Sequence, residues 1–316
     1  MTKFKGLFVI IISITCLVKV PVRSQNFHFH EKTDGLLLKY DNQNIFFYQK
    51  QTKDLDGRYP RANYIHPLYG LNGEVLTEDF PDDHLHHRGI FWAWHQLYIN
   101  QKKIGDPWAC EGIEWKVTEV NHQSFLDSAQ MRALVSWFGV VPGNPMTKPI
   151  ELVREETIIT CKNKTGDQLE IDFDIRLTAL HEGTRLGGSE DNKGYGGFSI
   201  RIKLPDDISF YSIEGKIIPK ETAIQAGGWM DIQGSFAQGE VNQTSLTIMN
   251  NPQNPSPFHG WILREKASMQ NAAFPGRTPV SINKGETLRM QYKILLHRKN
   301  TPIEKIEKIY HQFIQG

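Results

Sequence analysis

The residues best suited to chemistry lie in one stretch, Asp82-Asp83-His84-Leu85-His86-His87-Arg88-Gly89-Ile90-Phe91-Trp92-Ala93-Trp94-His95. Four of the chain's twelve histidines fall there, with one arginine and two tryptophans. Histidine moves protons or ligates metals near neutral pH, and tryptophan offers a flat apolar face with one polar handle. That pairing suits a sugar ring. If residues 84–87 are extended, His84 and His86 project to one side and His87 to the other. Holding a divalent metal would then need a further ligand from His66, His95, His181 or His259, and the helical zinc spacing of two histidines four apart is absent. The alternative is that one histidine caps a turn, another stacks on Trp92 or Trp94, and only one is chemically active. Arg88, beside histidines and aromatics, suits two-point recognition of a carboxylate or sulfate, against a salt bridge to Asp82 or Asp83.

Two more polar segments interrupt an otherwise regular pattern. In the first, His181 continues the apolar phase of Leu177 and Ala179, and a glycine-rich loop follows with Arg185, Glu190, Asp191, Lys193 and Tyr195. Glycines there permit close approach to a ligand, but the Gly-Lys-Ser/Thr ending of a phosphate loop is missing. The second, Asn250 to Trp261, is stiffened by prolines and presents His259 and Trp261. Trp108 and Trp229 are further stacking candidates, with core packing as the alternative.

These segments must be positioned by strands, because the dominant period is two. Ile171, Phe173, Ile175, Leu177 and Ala179 alternate with Asp172, Asp174, Arg176 and Thr178, the mark of a strand with one wet face. Similar alternation runs through 44–49, 152–161, 198–204, 246–249 and 292–297, separated by turn signals such as Asn72-Gly73, Lys164-Thr165-Gly166-Asp167 and Asn283-Lys284-Gly285. The expected fold is all-β, a large antiparallel sandwich of the supersandwich type. One helix is expected at the end: Thr301 as N-cap, Pro302 at the first helical position, and an apolar stripe of Ile303, Ile306, Ile309, Tyr310 and Phe313 to cover a sheet.

Lys3 and Lys5 precede an apolar run from Gly6 to Val18, which reads as a signal peptide over 1–24, leaving 25–316 as one catalytic domain. The run is too short for a membrane span, and a lipoprotein reading through Cys16 lacks the preceding leucine and small residue. Cleavage would remove four basic residues and no acidic ones, leaving 32 basic against 35 acidic and a formal charge of −3. No basic run points to nucleic acid or to an anionic membrane. The protein is expected to be secreted, in the periplasm. Cys110 and Cys161 either pair or stay as separate buried thiols.

Pro67-Leu68-Tyr69-Gly70, the run Phe80 to Gly89, Lys193-Gly194-Tyr195-Gly196-Gly197-Phe198, Gly228-Trp229-Met230-Asp231, the run Asn254 to Gly260 and Leu295-Leu296-His297 together resemble a bacterial family that carries the label methane oxygenase PmoA. The label does not fit, since a membrane oxygenase subunit needs several spanning helices. The resemblance extends to the oligosaccharide dehydratases that marine bacteria use on ulvan, an acidic algal polysaccharide of uronic acids and sulfated rhamnose. It implies a secreted β-sandwich lyase that removes water from a non-reducing-end uronic acid, giving a 4,5-unsaturated product. Such a reaction needs a base for the C5 proton, a neutraliser for the carboxylate and an acid for the C4 hydroxyl. His84 or His86 is the expected base, Arg88 and Arg185 the neutralisers, Tyr195 or His259 the acid, and Trp92 or Trp108 the platform for the next sugar. His87 joins the catalytic candidates, and His66, His95 and His181 the substrate-binding ones. The mechanism requires no cofactor, and a His-bound metal stays open. The partner is an acidic oligosaccharide. Two rivals are a glycoside hydrolase using two of Glu182, Glu190, Asp191 and Asp231, and a sugar-binding protein without turnover.

Overall fold

The computed structural model describes Thr2 and residues 27–142, 148–239, 242–267 and 269–316; the expected signal segment therefore lies, apart from Thr2, outside the described residues. The fold is all-β with one C-terminal helix. One sheet has eight strands, in the order Phe27–Glu31, Gly35–Tyr40, Gln43–Gln49, Tyr64–Leu68, Ile90–Trp94, Gly196–Ile200, Gln270–Ala273, Gly260–Ile262. The other has nine, in the order Ile113–Ser124, Ser128–Gly139, Ile150–Lys162, Gln168–Ala179, Thr287–Arg298, Thr244–Asn250, Trp229–Gln233, Ser209–Ser212, Gly215–Ile217. All of their pairings are antiparallel. A four-stranded sheet, Val280–Ile282, Thr184–Gly187, Gln96–Ile99 and Lys102–Gly105, sits beside them.

The two large sheets face each other across one apolar core. Trp92 and Phe198 of the first sheet pack edge-on against Phe173 of the second, and Trp94 meets Trp137. Glu155 lies fully buried in this core and accepts hydrogen bonds from Trp92 Nε1 (2.8 Å), Trp137 Nε1 (2.8 Å), Asn63 Nδ2 (2.7 Å) and Thr157 Oγ1 (2.7 Å). Burial pushes this carboxyl up while the four donors hold it down, and the net direction is upward.

Alternation predicts the long strands well. In Gln168–Ala179 the apolar set turns inward, while Asp174 faces out and binds Arg176 and Arg289 on the wet face. The strand expected over 198–204 instead runs from Gly196 to Ile200, because the chain then leaves the sheet and only Ile202 makes an isolated bridge to Thr77. The helix is Ile303–Gln315, with Pro302 rather than Thr301 at the N-cap position and no side-chain cap. Its stripe packs as expected, on Trp229, Met249 and Leu295 of the nine-stranded sheet's outer face. Cys110 and Cys161 are separate buried thiols. No helix among the described residues is long and apolar enough to cross a membrane.

Candidate functional site

Strand Ile90–Trp94 decides where the polar segments meet. All five of its residues are buried, but period two sends Ile90, Trp92 and Trp94 into the inter-sheet core and Phe91 and Ala93 to the opposite face. On that outer face Phe91, Ala93, Tyr64, Met269 and Trp108 form a separate apolar cluster, with Tyr195 packed against it. Trp92 consequently offers no face to a sugar: it is 2% exposed and bonded to Glu155.

Residues 81–87 approach this floor through two successive turns, not as an extended run: His84 N–H donates to Pro81 O (3.0 Å) and His87 N–H to His84 O (2.9 Å). The second turn stacks the His84 and His87 rings, with centroids 4.6 Å apart and planes 7° from parallel. His86 stands edge-on to His87 at 4.5 Å and lies 6.2 Å from Tyr59. His87 meets the edge of Trp108 at 6.2 Å; His95 stacks on Trp108 at 5.2 Å and Tyr195 rests against it at 5.5 Å. The structure thus joins His84, His86, His87, His95 and Tyr195 around Trp108, which is itself 2% exposed and serves as floor more than platform.

Carboxylates and one arginine orient these rings. Asp83 accepts from His84 Nδ1 (3.1 Å), and Asp106 from His95 Nδ1 (2.8 Å) while also capping Ala109 N–H (2.9 Å). Arg201 is buried on the eight-stranded sheet's outer side; its guanidinium donates to Asp83 (2.7 Å), Glu78 (2.8 Å) and His87 Nδ1 (3.4 Å). A carboxylate only accepts and a guanidinium only donates, so the two stacked rings carry opposite tautomers. In its neutral form His84 keeps its Nε2 lone pair, and His87 keeps its Nε2 proton. Burial, then the neighbouring His86 and His84 and the charge of Arg201, push the His87 pKa far down, so the ring stays neutral. Burial also lowers His86, to about 4. Burial opposes ionisation of Asp83, yet hydrogen bonds from His84 and Arg201 outweigh it and hold its pKa below the usual carboxylate range.

Several expected site residues lie elsewhere. Arg88 is fully buried: its guanidinium donates to the carbonyls of Leu85 (3.1 Å) and Tyr59, lies 3.5 Å from Asp79 and covers the Phe80 ring, leaving no fork for a ligand. His259 binds Lys193 O (3.0 Å) and fills the space over Gly276, where a Cβ would stand 2.4 Å from its Nδ1; it pins the glycine loop. His181 is bonded to Glu151 O (2.8 Å). Arg185 lies over Tyr98 on the small sheet, 4.8 Å from the ring centre. His66, bonded to Thr77 (3.0 Å), faces a separate cleft of about 700 Å³ that also borders Asp83 and Arg201. Among the described residues no three His, Cys, Asp or Glu side chains are arranged to hold a metal.

Sequence reasoning did not single out Asp106, Arg201 or Tyr59. Arg201 had a signal, an arginine between Ile200 and Ile202 whose phase opposes the core. Tyr59 had none, since its place depends on a left-handed backbone (φ 53°) at a short hairpin.

The model of a family described as a family of unknown function, DUF6807, matches residues 35–311. No curated protein matches the chain significantly. Among solved structures, a heparan sulfate lyase HepC mutant from Pedobacter heparinus is similar over 89% of this chain at 7% identity and a TM-score of 0.39. A variant of a glycoside hydrolase family 97 enzyme from Pseudoalteromonas sp. strain K8 is similar over 85% at 8% identity and a TM-score of 0.29. The chain spans about a third of the length of each, 36% and 33%.

Proposed function

The chain belongs to DUF6807, a family of unknown function, and on that premise we propose that it is a carbohydrate-active lyase that dehydrates the non-reducing-end uronic acid of an acidic oligosaccharide. The observation that carries this reading is the stacked His84 and His87 pair, whose Nε2 atoms are one acceptor and one donor in the neutral rings because Asp83 and Arg201 hold the Nδ1 atoms.

In the reaction, His84 Nε2 takes the proton from C5, and Asp83 stabilises the imidazolium that forms. His87 Nε2–H donates to the substrate carboxylate, where negative charge grows as the C5–H bond breaks. The electron pair forms the C4–C5 double bond and the C4–O bond breaks. Tyr195, across Trp108, protonates the departing hydroxyl, which leaves as water. His86 and the Asp106-held His95 bind ring hydroxyls. Every atom is accounted for by loss of one water, and no redox partner is required.

The hydrolase alternative draws no support from the carboxylates first considered for it. Asp231 is buried against His297 (2.9 Å), Asp191 caps its own loop through Ser189 and Lys193, Glu190 is an exposed partner of Lys103, and Glu182 is exposed. We take residues 1–24 as a secretory signal and ulvan oligosaccharides as the first substrates to try. The decisive experiment is incubation of the purified protein with defined acidic oligosaccharides, followed by mass spectrometry and ultraviolet absorbance of the conjugated product. Loss of one water from an intact chain supports the reading. Two saturated fragments indicate hydrolysis, and binding without turnover indicates a lectin-like role; either result rejects it. His84→Ala should lower kcat by about 10²–10⁴-fold, the usual worth of a positioned base.

A further inference from the structure

The chain of rings ends at Tyr195, and a second cavity opens there. The Arg264 guanidinium lies 5.4 Å from the Tyr195 ring centre and also lines a groove of about 390 Å³. Lys193, Lys220 and Lys266 share that groove with it, against Glu221 and Glu265, so four cations face two carboxylates. Lys193 has only a loose contact with Asp191, at 3.8 Å. Arg264 donates to three backbone carbonyls, of Lys220 (2.8 Å), Leu263 (2.8 Å) and Glu221 (2.7 Å), and among the described residues no carboxylate reaches it. Gln270 clamps its backbone from both sides, accepting from Arg264 N–H and donating to Arg264 O at 2.8 Å each. Carbonyls fix a guanidinium without cancelling its charge. Its field over the groove is therefore permanent, and an arriving anion does not have to order it. The groove is also tied to the ring cluster, since His259 holds the carbonyl of Lys193, two residues before Tyr195.

We infer that this groove is the subsite for an anionic group, sulfate or carboxylate, on the sugar adjacent to the one that reacts. The inference rests on the reading of the ring cluster as the place where a uronic acid reacts, and it makes the substrate an oligosaccharide with charge on two neighbouring residues.

The test uses the full chain, a sulfated uronic-acid tetrasaccharide and its desulfated counterpart. Binding is measured by calorimetry at low and raised salt for the wild type and for Lys220→Ala/Lys266→Ala, both of which replace exposed side chains. Loss of two exposed charge contacts should weaken binding about tenfold and flatten its salt dependence. If desulfation alone produces the same loss in the wild type, the anion is sulfate; if the wild type binds both chains alike and the variant is weakened on both, it is carboxylate. Either pattern supports the subsite. A wild type that binds neither chain, or a variant that binds as the wild type does, overturns it. Turnover is read separately: groove-dependent binding with no unsaturated product would sink the dehydratase reading and leave the anion subsite standing.

Discussion

Arg201 is the residue on which the proposed chemistry turns, although it touches no substrate. One buried guanidinium reaches both Asp83 and His87, so it supports the base and assigns the donor at once. Arg201→Lys keeps the charge but loses the fork. The expected result is a fall in kcat of about 10–100-fold with a smaller change in KM, since geometry at the reacting atoms is disturbed more than uniform binding. Arg201→Gln also removes one of the charges that holds His87 neutral. His87 should then take up its proton at a higher pH, as read by NMR titration of its ring. A His87 titration unchanged in a folded variant means that Arg201 only supports the fold. Its neighbour Arg88 shows why composition alone misleads: adjacent in sequence to three histidines, it is consumed by backbone carbonyls and Asp79.

At the scale of elements, the two sheets are joined by apolar packing and by one carboxylate. Glu155 gathers donors from Trp92, Trp137, Asn63 and Thr157, three of them from other strands or loops. Glu155→Gln replaces an acceptor oxygen with an amine facing donors, in a site without water access. Such a change should destabilise the protein by about 1–3 kcal/mol, as read by denaturant unfolding. Indistinguishable midpoints would show that the core repacks around the amide. The elements most readable in the sequence are the long neighbouring strands Ile150–Lys162 and Gln168–Ala179, where alternation maps directly onto inside and outside. Least readable was the histidine segment. Its residues look extended, yet consecutive turns at Pro81–His84 and His84–His87 stack the histidines three apart at 4.6 Å, closer than the pair two apart at 5.8 Å. Trp92 fell to the core for the same kind of reason: period two predicts alternation, but not which of the two faces the second sheet covers.

For the molecule as a whole, acid should be a sensitive variable. His66 and His86 are lowered by burial to about 4 from an ordinary 6.5, and His87 is lowered further. Between about pH 6.5 and 4 the unfolded chain therefore binds protons that the folded one refuses. Stability should be full above about pH 6.5 and should fall steadily on acidification. Melting temperatures taken from neutral pH down to about 4.5 check this, and His87→Asn should make the decline shallower. A flat profile would mean that these rings are protonated in the fold.

The sequence by itself determined the all-β architecture, the C-terminal helix with its apolar stripe, and the segment that carries most of the candidate site. Those follow from local periodicity and residue type, which act over a few residues. Only the tertiary structure decided that His95, Tyr195 and Trp108 join the histidine turn, that Arg201 and Asp106 orient it, and that His181, Arg185 and His259 are placed at other contacts. Those outcomes depend on which strands are neighbours and which face each presents, and pairings between residues a hundred positions apart leave no trace in local spacing.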